Sequence, residues 1–320
     1  MKFPAWKASL AVALLLTAAP MFAPAQSENQ GQGQAVITVL PKDKNATAPN
    51  LSQQDLSLTV NGKNANITRL TPANGRTGAL ELVVMLDSGA STDLSNQYPE
   101  IKSFVNGLPS DARVSVGWME NGVTRLAGPL STDHSAALKA LHIPSGFPGE
   151  DASPYFCLSD LAKHWPSSDP NARREVVMIS DGVDNYYRRY DPNDPYLQSA
   201  ITDSVRAGLV VYSVYWQNKG AFDRSWYATD SGQNLLLELT QATGGYSYGE
   251  GMGNPVSFQP FFKDLDKRLG NQYEVGFVAP LANRPQVLNM KLKVDGVSAK
   301  IDAPQQVYVG RATGSTTSTQ

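Results

Sequence analysis

Two short apolar runs that each end in an aspartate constrain the fold of this chain most. The first, Leu82 to Leu86, ends at Asp87, and the second, Val176 to Ile179, passes through Ser180 into Asp181. Neither run alternates with polar residues, which is typical of strands buried on both faces of a parallel sheet. Since ligands of open α/β sheets bind beyond the carboxyl ends of the strands, the pattern directs both carboxylates into one crevice.

A pair of carboxylates in one crevice favours a bound cation, because two like charges repel unless positive charge lies between them. A hard divalent ion held by carboxylate, hydroxyl and water oxygens suits such a crevice. The alternative is structural: Asp87 and Asp181 would each cap the loop or helix that follows its strand.

The residues from Asp87 onward resemble the metal-ion-dependent adhesion site of von Willebrand factor type A (VWA) domains, which begins with a D-x-S-x-S motif after the first strand. Asp87, Gly89 and Ser91 stand at its three ligand positions, with glycine in place of the first serine. The resemblance implies a site for Mg²⁺, Mn²⁺ or Ca²⁺ in which water replaces the missing serine. The metal ligands that it implies are Asp87, Ser91, Ser153 and Asp181. Ser153 is equally explained as the cap of a helix that begins at the next residue.

Strands and helices alternate through the middle of the chain. Two helix starts are marked by Ser153-Pro154 and Asp194-Pro195, and Gly208 can end the second helix. The continuous apolar run Leu209 to Tyr215 follows as another buried strand. This order predicts a doubly wound, Rossmann-like α/β domain over residues 77–270, and the resemblance of its motif implies that it is a VWA domain.

Both ends of the chain are predicted to be β-structure. Residues 26–76 contain alternating strands joined by the hairpin signal Asn61-Gly62, and residues 271–310 contain further alternating strands. Neither end has enough strands to be stable alone, so we expect one small β-sandwich built from both. Residues 28–34 are expected to be a flexible lead-in, and residues 311–320 a disordered tail.

This order of segments resembles the VWFA-related acidobacterial family, a branch of exported VWA proteins. A hairpin from Asp55 to Lys63 precedes the α/β region. Thr243-Gly244-Gly245 lies near the end of that region, and the strand Tyr273 to Phe277 follows it. The resemblance implies a protein that is not an enzyme and that binds another protein. An acidic side chain of the protein ligand would complete the coordination of the ion.

The first 25 residues have the layout of a secretory signal peptide. Lys2 and Lys7 precede an apolar stretch from Ala8 to Ala19, and Ala23-Pro24-Ala25 offers a cleavage site. The stretch is too short to span a membrane. We therefore expect cleavage after Ala25 and a secreted or periplasmic protein without a membrane span.

Charge and cysteine content exclude several classes of function. Removal of Lys2 and Lys7 from the 27 basic residues leaves 25 against 29 acidic residues, a formal charge of −4. No basic patch indicates a nucleic-acid partner. Cys157 is the only cysteine, which excludes an intrachain disulfide, and without a cysteine or histidine cluster a zinc site is not expected.

The loop after Asp181 contains the candidates for partner binding. These are Tyr186, Tyr187, Arg188 and Arg189. Tyrosine and arginine are enriched in protein interfaces, although a solvated loop explains the same residues. The aromatic stretch from Trp216 to Trp226 is a second candidate. It belongs to a predicted loop, Trp216 to Gly232, which precedes a helix from about Asn234 to Thr243.

Two alternative functions remain open at this point. The first is a VWA interaction scaffold without a metal, which Gly89 makes plausible. The second is an aspartic protease, because Asp87-Ser88-Gly89 and Asp230-Ser231-Gly232 resemble the paired D-S-G motifs of enzymes in which two aspartates share a proton. Asp230 does not follow an apolar strand, and the alternation of strands and helices differs from the mostly β structure of those proteases.

Overall fold

We describe the structure from a computed structural model. The described residues are 30–43, 46–73, 78–147, 150, 152–187, 190–191, 193–218, 225–249, 251, 253–281 and 284–311. The predicted signal peptide with its cleavage site, Arg188, Arg189 and residues 312–320 of the predicted tail lie outside them. None of the helices in these ranges combines the length and the apolar character that crossing a bilayer requires.

Thirteen strands and six α-helices make up the described chain. The strands are β1 Gln30–Pro41, β2 Leu56–Val60, β3 Lys63–Pro72, β4 Leu80–Asp87, β5 Arg113–Glu120, β6 Val123–Leu126, β7 Arg173–Ser180, β8 Leu209–Tyr215, β9 Ser247–Tyr248, β10 Gln272–Pro280, β11 Gln286–Val294, β12 Ala299–Asp302 and β13 Gln306–Arg311. The helices are α1 Tyr98–Gly107, α2 His134–Ala137, α3 Pro154–Lys163, α4 Pro195–Ala207, α5 Trp226–Thr243 and α6 Gln259–Leu269.

The middle of the chain forms a mixed sheet with the strand order β6-β5-β4-β7-β8-β9. All neighbours run parallel except β6, which returns antiparallel to β5. The turn between them is Asn121-Gly122, whose φ angles of 48° and 77° suit a tight hairpin. The sheet is Rossmann-like, but the predicted doubly wound α/β fold is only partly present.

Helices cover both faces of the mixed sheet. Leu82, Val84 and Leu86 of β4 point into a core shared with α1 and α6. Val83 and Met85 point into a second core shared with α3, α4 and α5. All eight residues of β4 are buried, as the unbroken apolar run predicts.

The two ends of the chain form a closed antiparallel barrel, so the predicted β-sandwich is wrong. The barrel order is β10-β3-β2-β11-β13-β1, and β1 pairs with β10 to close it, while β12 adds to one end of β1. Each strand of the ring therefore has two hydrogen-bonded neighbours, which removes the open edges that a sandwich keeps. The Asn61-Gly62 turn between β2 and β3 is confirmed, with φ angles of 49° and 76°.

Two glycines explain the closure of the barrel and correct the prediction of a flexible lead-in. Residues 30–34 already belong to β1, and Gly33 lies opposite Phe277 of β10. A Cβ at Gly33 would overlap the Phe277 ring, and one at Gly31 would lie 2.6 Å from the carbonyl oxygen of Gly310. Glycine thus allows the close backbone approach that the narrow barrel needs.

Helix α5 begins earlier than predicted. The aromatic stretch before residue 234 was expected to be a loop, but the helix starts at Trp226. The hydroxyl of Ser225 caps it by accepting the backbone N–H of Ala228 at 3.2 Å. Trp226 and the residues after it therefore belong to a capped helix and not to a loop.

Buried polar side chains connect the mixed sheet to the barrel. The guanidinium of Arg173 donates to the carbonyl oxygen of Leu269 at 2.7 Å and to the side chain of Gln272. Glu175 is fully buried, with Oε1 4.0 Å from Nε of Arg173. Burial raises the pKa of Glu175 to about 7, although Arg173 lowers it.

We predict that Gly33→Ala destabilises the protein and that Gly310→Ala does not. The added methyl at Gly33 overlaps the Phe277 ring, whereas the nearest atom to a Cβ at Gly310 is 3.7 Å away. Overpacking of this kind costs about 1–3 kcal/mol. Urea unfolding of the two variants beside the wild type measures the difference. Equal stabilities would contradict the account of barrel closure.

We predict that Glu175 makes the protein less stable as pH rises from about 4.5 to about 7. The unfolded carboxyl loses its proton near 4.5 and the folded one near 7, so the unfolded state gains relative stability across this window. The loss amounts to roughly 3 kcal/mol at most. Glu175→Gln should remove this part of the pH dependence. Urea unfolding at pH 5 and pH 7.5 tests it, and an unchanged pH dependence in the variant would contradict it.

Candidate functional site

The predicted site residues Asp87 and Asp181 lie at the carboxyl ends of the adjacent parallel strands β4 and β7. Asp87 is the last residue of β4, Asp181 follows the last residue of β7, and both are fully buried. The register pairs Leu86 with Ile179, so Asp87 is level with Ser180. Both carboxylates therefore belong to the same edge of the sheet.

Each of these carboxylates binds backbone of its own loop. Oδ1 of Asp87 accepts the N–H of Gly89 at 2.7 Å, and Oδ1 of Asp181 accepts the N–H of Val183 at 2.9 Å. The second oxygen of Asp87 accepts the hydroxyl of Ser180 at 3.1 Å. These bonds are the loop caps that the structural interpretation of the sequence expects.

Ser91 is held by two donors from distant parts of the chain. Its Oγ accepts the indole N–H of Trp216 at 3.0 Å and the side-chain amide of Asn254 at 3.5 Å. The backbone N–H of Ser91 also donates to the carbonyl oxygen of Gln217 at 3.3 Å. Ser91 therefore ties the loop after β4 to the segments after β8 and β9.

Ser153 contacts a carboxylate that the sequence did not single out. Its hydroxyl donates to Oδ2 of Asp184 at 3.0 Å and makes no capping bond to α3. Oδ1 of Asp184 accepts the backbone N–H groups of Tyr186 and Tyr187 at 2.7 and 3.3 Å. Burial raises the pKa of Asp184, while these hydrogen bonds lower it. The sequence signal that could have identified Asp184 as a site residue is its position three residues after Asp181.

A buried tyrosine lies beside the carboxylates of this edge. The hydroxyl of Tyr155 donates to the carbonyl oxygen of Gly182 at 2.7 Å. Burial raises the pKa of Tyr155, and the charges of Asp184, Asp181 and Asp194 raise it further. Asp194 caps α4, as its position before Pro195 predicted, and accepts the N–H groups of residues 196 and 197 at 2.8 and 3.0 Å.

Two segments cover the loop that contains Gly89. Ser145 donates its backbone N–H and its hydroxyl to the carbonyl oxygen of Ser88 at 3.1 and 2.8 Å. A Cβ at Gly89 would lie only 2.7 Å from the carbonyl oxygen of Phe147. On the other side, Asn218 forms a β-bridge with Ala90. The position where the motif has serine is therefore enclosed by the chain itself.

Two of the implied metal-site positions do not match the contacts found here. Ser91 already accepts two N–H donors, and the surroundings of Gly89 have no room for a serine. The hydroxyl of Ser153 donates to Asp184, which leaves its oxygen lone pairs unused by that bond. Within the described ranges, no group of three or more His, Cys, Asp or Glu side chains is arranged to hold a metal ion. Ligation by Asp87, Ser91, Ser153 and Asp181 stays a prediction.

The predicted partner-binding tyrosines are exposed. Tyr186 and Tyr187 are 64% and 40% exposed. The hydroxyl of Tyr227 accepts the backbone N–H of Tyr190 at 3.0 Å, which joins the loop after β7 to the start of α5. Trp226 on the same helix is 67% exposed. Aromatic side chains from two segments therefore lie close together at this edge.

The second aspartate of the protease hypothesis lies elsewhere. Asp230 is exposed within α5, whereas Asp87 is fully buried at the end of β4. Two aspartates that share a proton need adjoining oxygens in one environment. The protease interpretation gains no support from this placement.

The α/β part of the chain is VWA-like. The motif beginning at Asp87 stands at the end of the first strand of the mixed sheet, as the resemblance implies, with Asp181 at the end of the neighbouring strand. No family model and no curated protein matches the sequence.

Several solved structures are similar to this chain. An aerotolerance-related membrane protein from Bacteroides fragilis is 13% identical over 60% of this chain and 98% of its own, with a TM-score of 0.44. The SpRpn10 VWA domain is 7% identical over 58% of this chain and 95% of its own, with a TM-score of 0.37. The pilus adhesin SpaC from Lactobacillus rhamnosus GG is 8% identical over 85% of this chain and 49% of its own, with a TM-score of 0.45. These similarities are partial and concern the fold alone.

We predict that Ser91 and Trp216 are energetically coupled. Ser91→Ala leaves the buried indole N–H without its acceptor and should cost about 1–3 kcal/mol. In a Trp216→Phe background the same change should cost clearly less, because the donor is already gone. A double-mutant cycle in urea measures the coupling. Additive losses would contradict the contact.

Proposed function

We propose that this chain is an exported, non-enzymatic protein-interaction domain. Its partner docks on the loops at the carboxyl edge of the mixed sheet, which we call the docking edge. The docking edge consists of residues 142–147, 185–187, 190–191, 225–227 and 254–258. The signal-peptide layout of residues 1–25 supports export.

The distribution of exposed apolar side chains carries this proposal. The structure describes eleven large apolar residues with exposed side chains, and eight of them belong to the docking edge. They are Ile143, Phe147, Tyr186, Tyr187, Tyr190, Trp226, Tyr227 and Val256. Exposed apolar residues gathered in one region mark interaction sites, and aromatic residues are enriched at the centres of protein interfaces.

Several of these residues are held in place before a partner arrives. The ring of Tyr186 packs against Phe156 and Tyr196, with ring centroids 5.4 and 6.0 Å away. The carbonyl oxygen of Val256 accepts the side-chain amide of Gln97 at 3.2 Å. Since ordered loops lose less conformational entropy on binding, this arrangement favours association.

A cation-assisted version of the same function is the second candidate. It has one observation in its favour, which is the number of carboxylates buried below the docking edge. Asp87, Asp181 and Asp194 are fully buried, and Asp184 is 1% exposed. Like charges gathered in a buried region favour compensating positive charge. In that version Mg²⁺, Mn²⁺ or Ca²⁺ would join the partner to this edge.

We predict that Trp226→Ala weakens partner binding and that Tyr308→Ala does not. Trp226 belongs to the docking edge, whereas Tyr308 is an exposed aromatic residue on barrel strand β13. Truncation of a tryptophan at the centre of an interface costs about 2 kcal/mol or more, roughly a 30-fold loss of affinity. Affinity capture on the immobilised wild-type chain supplies the partner, and titration of each variant gives the dissociation constants.

Val256→Ser tests another segment of the docking edge and should also weaken binding, because Val256 is 96% exposed. Binding that depends on Tyr308 and not on Trp226 or Val256 would place the interface on the barrel and contradict the proposal. The same titrations with and without a chelator separate the metal-free version from the cation-assisted one.

A further inference from the structure

We infer that hydrogen-bond donors of the chain itself occupy the ligand positions Asp87 and Ser91, so that the crevice below the docking edge takes no divalent cation. Binding at the docking edge is then independent of metal ions. Only this consequence for binding rests on the proposed function. The inference about the crevice stands on the contacts of Asp87, Gly89 and Ser91.

The first step concerns Ser91, whose hydroxyl would have to give a lone pair to the ion. Both of its acceptor positions face N–H groups, from Trp216 at 3.0 Å and from Asn254 at 3.5 Å. An indole nitrogen can only donate, so it directs positive partial charge at the oxygen that a cation would need. The surroundings of Ser91 therefore suit a hydroxyl acceptor and oppose a cation ligand.

The second step concerns Gly89, the position at which the sequence departs from the motif. A side chain here would begin 2.7 Å from the carbonyl oxygen of Phe147 and 3.2 Å from Oδ1 of Asp87. The loop that contains Phe147 is held by the two hydrogen bonds of Ser145 to Ser88. Glycine at this position is thus required by the closure of the loop over the crevice.

The third step concerns the charge of Asp87, one of the buried carboxylates that favour a cation in this crevice. Its oxygens accept the N–H of Gly89 at 2.7 Å and the hydroxyl of Ser180 at 3.1 Å. Hydrogen bonds to a carboxylate stabilise its charged form and are stronger than those between neutral groups. At Asp87, donors fixed in the fold therefore perform the compensation that an ion would otherwise provide.

The fourth step concerns access. Asp87 and Ser153 are fully buried, and Ser91 is 6% exposed. The carbonyl oxygen of Phe147 and the side chain of Asn218 both lie close to Gly89, and Asn218 also forms a bridge with Ala90. An acidic side chain of a partner would have to displace these segments before it reached an ion.

Gly89→Ser tests the inference because it restores the serine of the motif. If the crevice is closed as described, the variant gains no affinity for Mg²⁺, Mn²⁺ or Ca²⁺ and its melting temperature falls by roughly 2–10 °C through overpacking. Gly107→Ser is the matched control, since a Cβ at Gly107 meets no atom within 4 Å. Its melting temperature should stay close to that of the wild type.

Calorimetric titration of the wild-type protein with each of the three ions accompanies the variant, so the test does not depend on the folding of Gly89→Ser. The wild type should show no binding heat and no rise in melting temperature. An ion-dependent rise that Asp87→Ala abolishes would overturn the inference, as would tight ion binding by Gly89→Ser. These measurements need no partner, so a docking edge that fails in the Trp226 and Val256 titrations is recognised separately.

Discussion

The complete burial of β4 on both faces is the constraint on which the rest of the structure depends. Its side chains alternate between two cores, and each core recruits its own helices. A strand enclosed in this way can present polar groups only where it ends, which places Asp87 at the edge of the sheet. The buried carboxylate there needs donors, and the loop of Gly89 and the end of β7 at Ser180, which supply them, become fixed in position.

Local signals in the sequence predicted many elements of the fold. The wrong predictions concern the two ends of the chain, whose structure depends on long-range strand pairing. The strand Leu209–Tyr215 was predicted with its observed bounds, and the caps of α4 at Asp194 and Gly208 are confirmed, because both depend on neighbouring residues. The barrel depends on the pairing of Gly33 with Phe277, far apart in sequence. Glycine-rich sequence indicates flexibility when that partner is unknown, so both the lead-in and the sandwich predictions were wrong.

The same distinction explains how much of the candidate site the sequence contained. Aspartates at the ends of buried strands mark an edge without any knowledge of tertiary contacts, so Asp87 and Asp181 could be selected. The hydrogen-bond donors around Ser91 could not be selected from the sequence. They are Trp216 and Asn254, which reach Ser91 from the segments after β8 and β9. The resemblance at the motif identifies which residues lie at the site, whereas the donor and acceptor of each hydrogen bond there depend on the whole fold.

Polar and apolar groups at this edge perform separate tasks. The buried hydrogen bonds of Asp87, Ser91 and Ser153 hold the loops together from below, and the exposed side chains of Trp226 and Val256 remain available above them. An interface at the proposed docking edge would gain affinity from apolar contact and from the order of its loops before binding, and neither requires an ion. The substitution of glycine for serine in the motif is then consistent with the surface around it: the loop that passes over Gly89 carries Ile143 and Phe147 to the docking edge.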